Sequence, residues 1–374
     1  MSSSSDDELW MRRALELAEQ GSGHVSPNPL VGCIVVRDGV KLGEGAYLKF
    51  GEAHAEVNAV ANAKANGHSL RGATVYVTLE PHSFVGKTPP CTDLLIREEI
   101  ARCVIATEDP NPLVSGQGVA ELRDANIEVS VGVLEAEAIE LNRFFNKHIV
   151  QKLPYVTMKM AQSLDGRSAL ASGSSRWISS VASRTEVHRM RRVYDAVLIG
   201  RGAARADDPS LTVRLVQGRQ PLRVVLDTEL TLPRSLKLFT DEFSSRTILF
   251  TSKESIVSEP QHVAELRKQL VEVVGVDSDG EYLSLRDVLR ILGERGIASV
   301  LIEPGPELAS VVIREGLFDE IVCFVAPRLL GGDAKPSVGK IGIESLDTAP
   351  GLKLRSVHQV ENSEDIKLVY RAID

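Results

Sequence analysis

The 374-residue chain has only four cysteines, at positions 33, 91, 103 and 323. Their spacing makes no disulfide framework, so a reducing, cytoplasmic setting is expected. No apolar run approaches the roughly 20 residues that span a bilayer. The opening MSSSSDDE has neither a basic nor an apolar segment. No secretory leader is expected there, and Ser2 to Ser5 are expected to be disordered. Positive charge is in deficit, with 43 Lys and Arg against 51 Asp and Glu and a net charge of −8. That argues against nonspecific nucleic-acid binding, which rests on phosphate neutralisation, but leaves room for a local basic pocket. There is no internal repeat. No G-x-G-x-x-G opens a helix in the second half, so a standard Rossmann site is not expected.

What is present is two successive series of strands and helices, an α/β pattern of about two domains. In the first, Asp6 to Gln20 reads as an amphipathic helix with Leu9, Ala14, Leu15, Leu17 and Ala18 on one face. VGCIVV, the turn Asp38-Gly39 and VKLGEGA read as a hairpin. Helices starting near His54, Cys91 and Gly118 alternate with strands over 73–81, 101–109 and 127–133. A long helix from Leu134 to Ile149 closes the series. The alternation implies a mostly parallel, covered sheet. The second series starts near Leu153 and ends in an antiparallel pair, KLRSVHQV and EDIKLVYRAI. Residues 6–150 and 153–374 are the expected domains. The stretch around Asn146 to Leu153 is not rich in Gly or Ser, so the two are expected to pack together.

Chemistry concentrates in a few loops. His54-Ala55-Glu56 opens one helix, and Cys91 opens another directly after Pro89-Pro90. A thiolate at a helix N-terminus has a lowered pKa and is ready to bind metal. Glu56, two residues from His54, could reach a metal-activated water without being a ligand. H-x-E is the arrangement of zinc deaminases, whose metal activates water while the Glu shuttles protons. Alone it is equally a solvated pair beside a buried cysteine. Followed by a strand, E-P-H and then P-P-C at a helix start, it is specific. In the second half, three polar loops follow strands: Ser163 to Ile178, Gly200 to Arg214 and Ile302 to Ser310. The last would aim free backbone N–H groups at a phosphate, or is an ordinary strand-to-helix turn. The run His188 to Arg192 (HRMRR) is too short, in so acidic a chain, to make a nucleic-acid patch.

SPNPLVGC (Ser26 to Cys33), GEAHAEV (Gly51 to Val57), YVTLEP (Tyr76 to Pro81), GKTPPC (Gly86 to Cys91) and DPNPLVSGQG (Asp109 to Gly118) together resemble the bifunctional riboflavin-biosynthesis deaminase/reductase family. The resemblance runs from about Glu8 to the C-terminus. It implies a cytidine-deaminase-like zinc domain followed by a dihydrofolate-reductase-like domain. The first would deaminate a phosphoribosylamino-pyrimidine. The second would use NADPH to reduce the ribosyl group to ribityl. Small phosphorylated pyrimidines would be the substrates, with no nucleic-acid or membrane partner, and a homo-oligomer, dimer or tetramer, is expected. By position, the resemblance implies His54, His82 and Cys91 as zinc ligands and Glu56 as proton shuttle. Asn28, Lys87 and Asn111 would hold the first substrate. Ser175, Arg191, Leu211, Arg214 and Glu303 would lie by the second. Ala161, Trp177, Ala203, Asp207 and the loop Gly305, Pro306, Glu307, Leu308, Ala309 and Ser310 would lie by NADPH. Arg191 and Arg214 suit a dianionic phosphate. Trp177 offers a flat face to a ring, and Asp207 and Glu303 could orient or protonate the sugar. Arg201 and Arg205 are candidates for the 2′-phosphate of NADPH.

The chain departs from the family at one ligand. The family reads E-P-C-S-H where this chain has Glu80-Pro81-His82-Ser83-Phe84, and Tyr47 replaces a further common histidine. Imidazole is a standard zinc ligand, and three protein ligands plus water is the usual catalytic count. With one thiolate instead of two, the formal charge of the centre is +1 rather than neutral. An active zinc site is expected. The alternatives are a reductase whose deaminase-like domain is only scaffold, and a nucleic-acid-editing deaminase or binding module. Editing deaminases typically carry P-C-x-x-C, which is not seen here. A structural or interaction protein would leave the clustered ligand-type residues a coincidence.

Overall fold

The structure, a computed structural model, describes residues 4–84 and 89–373. The chain divides into two units between Lys152 and Leu153. In the first, helix α1 (Ser4–Ala18) turns Asp7, Met11, Ala14 and Ala18 inward at helical spacing. Leu9 was expected on that face. It lies two positions from Met11, far round the helix, and is 61% exposed. Ser4 and Ser5 belong to α1 rather than to a disordered lead-in; Ser2 and Ser3 lie outside the described residues. Strands β1 (Gly32–Arg37) and β2 (Val40–Ala46) form the hairpin, with Asp38 and Gly39 at φ 54° and 74°, as a two-residue turn of this hand requires.

Next come α2 (Ala55–Ala65), β3 (Thr74–Val77), α3 (Cys91–Arg97), β4 (Arg102–Ile105), α4 (Gln117–Asp124) and β5 (Glu128–Val131). The sheet order is β2-β1-β3-β4-β5. Only β3, β4 and β5 pair in parallel; β1 is antiparallel to both neighbours. The sheet is therefore half antiparallel rather than mostly parallel, because the hairpin supplies two of its five strands. β2 and β3 still run the same way, so β2, β3 and β4 all end at the sheet edge where β1 begins. Alternation along the strands sends Cys33, Val35, Val75 and Cys103 toward α2, α3 and α4, and Ile34, Val36, Tyr76 and Val104 toward α1.

The expected single helix from Leu134 to Ile149 is two helices, α5 (Glu135–Leu141) and α6 (Arg143–Gln151). Asn142 interrupts them at φ −97° and ψ 18°. Its buried side chain accepts from the Leu30 N–H at 2.7 Å and donates to the Leu30 carbonyl at 2.9 Å. That reciprocal pair satisfies two groups of an otherwise irregular loop.

The second unit comprises β6 (Tyr155–Ser163), β7 (Arg167–Ala169), α7 (Val181–Val193), β8 (Ala196–Gly200), α8 (Arg201–Asp207), β9 (Leu222–Leu226), α9 (Lys237–Thr240), β10 (Thr247–Ser252), α10 (Lys253–Ser258), α11 (Pro260–Lys268), β11 (Glu272–Val276), α12 (Leu285–Glu294), β12 (Ser299–Ile302), α13 (Pro306–Arg314), β13 (Glu320–Ala326), β14 (Lys335–Pro336), β15 (Leu352–Gln359) and β16 (Ile366–Ala372). Its main sheet runs β11-β10-β9-β8-β12-β6-β13-β16-β15, and β7 pairs with β14. The strands from β11 to β13 are parallel; β16 and β15 add the antiparallel pair. α8 falls within a segment read from sequence as loop. Ala203, Ala204 and Ala206 favour helix there, and Asp208 at φ 41° closes it. β12 comes late in the chain but lies between β8 and β6. The strand order reverses there, at the kind of point where open α/β sheets take ligands. Among the described residues, no helix is long and apolar enough to cross a membrane.

Asp7 fixes α1 to the sheet: it accepts two N–H groups of Arg102, at 2.9 and 2.8 Å, and the Tyr76 hydroxyl at 2.8 Å. Asp7→Ala is expected to destabilise the first unit by about 2 kcal/mol, read as a lower urea midpoint. An unchanged midpoint would exclude this role.

Candidate active sites

The first site is assembled by close packing. Gly43 and Gly45 on β2 face Ala55, Ala59 and Ala63 of α2, and a Cβ on Gly45 would lie 2.4 Å from the Ala59 nitrogen. Only glycine permits that approach, which seats the start of α2 on the end of β2. Asn58 completes the seat, donating to the carbonyls of Ala46 at 2.8 Å and Ala53 at 3.2 Å. His54, the N-cap of α2, and Glu56 in its first turn are thereby carried to the sheet edge. His82 arrives in the loop after β3. Its carbonyl accepts the N–H of Cys91 at 3.0 Å, so two residues nine apart are joined at the start of α3.

The donor atoms of His54, His82 and Cys91 all lie within 4.8 Å of one another. Cys91 Sγ is 3.6 Å from His54 Nδ1, and the two imidazole centroids are 4.6 Å apart. Tyr47 packs edge-on to His54 at 5.2 Å, and Phe84 edge-on to His82 at 5.6 Å. The Tyr47 hydroxyl accepts from Asn28 at 3.1 Å and from the Gly51 N–H at 2.8 Å. Asn28 thus reaches the candidate ligand His54 through a single intervening residue, Tyr47. Asn111 lies in the loop after β4, at the same edge. Lys87 lies outside the described residues.

The donor set fits a divalent cation. Burial raises the pKa of Glu56, opposed by a hydrogen bond with Cys91, and raises the Cys91 thiol well above its ordinary value, with Glu56 adding to the rise. Burial and then His82 lower the pKa of His54. Glu56 and Cys91 are held neutral for want of a counter-charge, which a dication would provide, and the lowered His54 pKa keeps the neutral imidazole that ligates metal.

The second site lies at the ends of β6, β8 and β12. Glu303, directly after β12, receives a fork from Arg191 of α7, with Nε at 2.6 Å and Nη2 at 2.9 Å. Arg191 Nη1 also donates to the Thr212 carbonyl at 3.3 Å. Arg191 is buried with its fork on Glu303, whereas Arg214 is exposed. Burial alone would raise the Glu303 pKa, but Arg191 and Lys159 outweigh it and hold it at about 2. Burial, then Arg191 and Arg214, push His188 down to about 4. Neutral His188 therefore accepts the Arg214 backbone N–H at 3.0 Å. Leu211, at φ 53°, and Gln220, which bonds both backbone groups of Val213, shape this loop.

Sequence reasoning missed Lys159. It lies on β6 with its pKa lowered by burial, while Glu303 pulls the other way. Its signal was a lysine as the one charged residue in the strand YVTMKMAQS. Nearby, Ser175 donates to Asp207 at 3.2 Å, and Arg176 donates to the Asp207 carbonyl at 2.5 Å. Trp177 is exposed, with the Arg184 guanidinium 4.1 Å over its ring. Leu308 of α13 comes within 3.7 Å of where a side chain on Gly200, the N-cap of α8, would sit. The first amides of α13 supply N–H donors of the kind that bind phosphate. Ala161 is partly buried on β6. Arg201 pairs with Glu229, and Arg205 donates to the Thr231 carbonyl at 2.9 Å.

Residues 4–107 match the cytidine and deoxycytidylate deaminase zinc-binding region, and 154–368 match the RibD C-terminal domain. The riboflavin biosynthesis protein RibD of Aquifex aeolicus is 44% identical, covering 98% of each chain, and that of Escherichia coli is 38% identical over 95% of this chain and 96% of its own. Among solved structures, RibD of Acinetobacter baumannii superposes with a TM-score of 0.88 at 36% identity, covering both chains fully. A diaminohydroxyphosphoribosylaminopyrimidine deaminase/5-amino-6-(5-phosphoribosylamino)uracil reductase from Thermotoga maritima gives 0.87 at 39% identity over 99% of each. Matched end to end in both of its units, this chain belongs to the riboflavin-biosynthesis RibD family.

Proposed function

We propose that the chain is a bifunctional riboflavin-pathway enzyme. It removes an amino group from a phosphoribosylamino-diaminopyrimidine by hydrolysis, then reduces the ribosyl group to ribityl with NADPH. The observation that carries this is the His54, His82 and Cys91 donor trio beside the buried Glu56, in a chain whose other unit has a reductase fold. His54, His82 and Cys91 would hold zinc, which would supply the Lewis acidity that makes water a nucleophile near neutral pH. Glu56 would take a proton from the attacking water and pass it to the departing nitrogen. Asn28, Asn111 and Lys87 hold the pyrimidine and its ribose phosphate.

In the second unit, Arg214 is the arm for the substrate phosphate. Arg191 orients Glu303, whose ionised carboxylate accepts from sugar hydroxyls, and Lys159 is the adjacent proton carrier. Leu211 and Ser175 line the substrate. Ala161, Trp177, Ala203, Asp207 and Gly305 to Ser310 line NADPH, which supplies the hydride. The four free, buried thiols support a cytoplasmic location. The exposed Leu354 and Val357 on edge strand β15 support self-association as a dimer or tetramer, which sedimentation equilibrium tests. The substrates are small molecules, without nucleic-acid or membrane partners.

Glu56→Gln is expected to lower deaminase kcat by about 10²–10⁴-fold and to leave reduction of the deaminated pyrimidine intact. Equal loss of both activities in folded protein would refute the assignment.

His82 is tested without turnover. Loaded with cobalt(II), the wild type should show thiolate charge-transfer absorption from Cys91 alone. His82→Cys should intensify that band, because a second thiolate joins the metal, and His82→Ala should lose most of its zinc on dialysis. A His82→Ala protein that retains about one zinc per chain excludes His82 as a ligand.

Glu303 makes stability depend on acid. Its pKa is about 2 when folded and 4.5 when free. Between those values the unfolded chain takes up the proton first, so stability is present above 4.5 and falls as pH drops. Glu303→Gln removes this share. Its melting temperature should change less than the wild type's between about pH 5 and about pH 3, from a lower starting point because Arg191 loses its partner. Identical slopes would count against the pairing.

A further inference from the structure

Glu80 lies three residues after β3 and two before His82, and its carboxylate accepts four backbone N–H groups. Oε2 receives Asp109 and Gly116, each at 3.0 Å; Oε1 receives Gly118 at 2.8 Å and Val119 at 3.2 Å. The side chain is buried, at 6% exposed. Four donors match the roughly four lone-pair positions of an ionised carboxylate. Two of them belong to the first turn of α4, where a negative charge also meets the positive end of the helix. The other two sit at either end of the loop that contains Asn111. Inside that loop, Asp109 Oδ1 accepts the Asn111 N–H at 2.8 Å, and Asn111 Oδ1 accepts the Leu113 N–H at 3.2 Å. A second contact fixes the same spacing: a Cβ on Gly118 would stand 2.1 Å from the Pro81 carbonyl. Backbone therefore meets backbone immediately before His82.

We propose that Glu80 is a positioning residue for the deaminase site. It sets the Asn111 loop at a fixed height against the segment that presents His82, so that substrate and metal are registered by one side chain. The proposal rests on the deaminase reading above. A glutamine cannot replace it, because one oxygen is lost and an amide NH₂ would face two N–H donors.

The test compares full-length wild type, Glu80→Gln and Gly118→Ala. It reads deaminase KM and kcat, zinc content, and reduction of the deaminated pyrimidine by the same preparation. Glu80→Gln is expected to lower deaminase kcat/KM by about 100-fold, as a misplacement near 1 Å does, with most of the change in KM. Zinc should stay near one per chain, and reduction should be unchanged. Gly118→Ala pushes on the Pro81 carbonyl from the other side. It should raise KM and also release zinc faster to a chelator. A Glu80→Gln protein with KM within about twofold of wild type, whatever its melting temperature, overturns the proposal. If Glu80→Gln does not fold, Gly118→Ala decides by the same KM criterion. A wild type that reduces but does not deaminate defeats the underlying deaminase reading, and the positioning role falls with it.

Discussion

Burial raises the free energy of an ionised Glu303, and the bidentate Arg191 guanidinium offsets it. Everything around that pair follows from keeping it intact. Arg191 is held by the Thr212 carbonyl, the Thr212 loop by Gln220, and the Arg214 backbone by a neutral His188. The first unit faces the same constraint with a different solution. Glu56 and Cys91 are both buried and both shifted toward their protonated forms. No guanidinium fork is built in beside them among the described residues. A metal ion held by His54, His82 and Cys91 would fill that role, making the first centre conditional on its ion and the second permanent.

The first site was legible because its signal is local. H-x-E and P-P-C mark helix starts, and helix starts are where strand-to-helix loops deliver side chains. What joins them was not local. Nothing in the sequence shows that the His82 carbonyl caps α3, or that Gly43 and Gly45 exist so that α2 can lie against β2. The partner of Arg191 was not legible for a related reason. An arginine in a basic helix suits a phosphate as well as a carboxylate, and only the fold reveals Glu303 within 3 Å of it.

Secondary structure failed where tertiary bonds override propensity. Leu134 to Ile149 has the periodicity of one helix, but Asn142 gives its side chain to Leu30, 112 residues earlier. The half-antiparallel sheet was a matter of strand order, which alternation of elements does not encode. α8 was hidden in a run whose Gly, Asp and Pro residues read as loop, although its alanines favour helix. Lys159 was visible as an anomaly, a charge inside a strand covered on both faces, and such anomalies mark functional positions more often than surface charges do.

The Asn142 clasp bears on how the first unit could be dissected or grafted. The zinc-binding region shared with other deaminases ends at residue 107. The amides that bind Glu80 come from residues 109 to 119, and the side chain that bonds both backbone groups of Leu30 comes from residue 142. A fragment cut at the end of the shared region would keep His54, His82 and Cys91, the candidate zinc donors. It would also leave a buried carboxylate without its four donors and the Leu30 backbone without Asn142. A deaminase module that keeps these bonds is therefore longer than the region by which such modules are recognised, and reaches at least the break between α5 and α6.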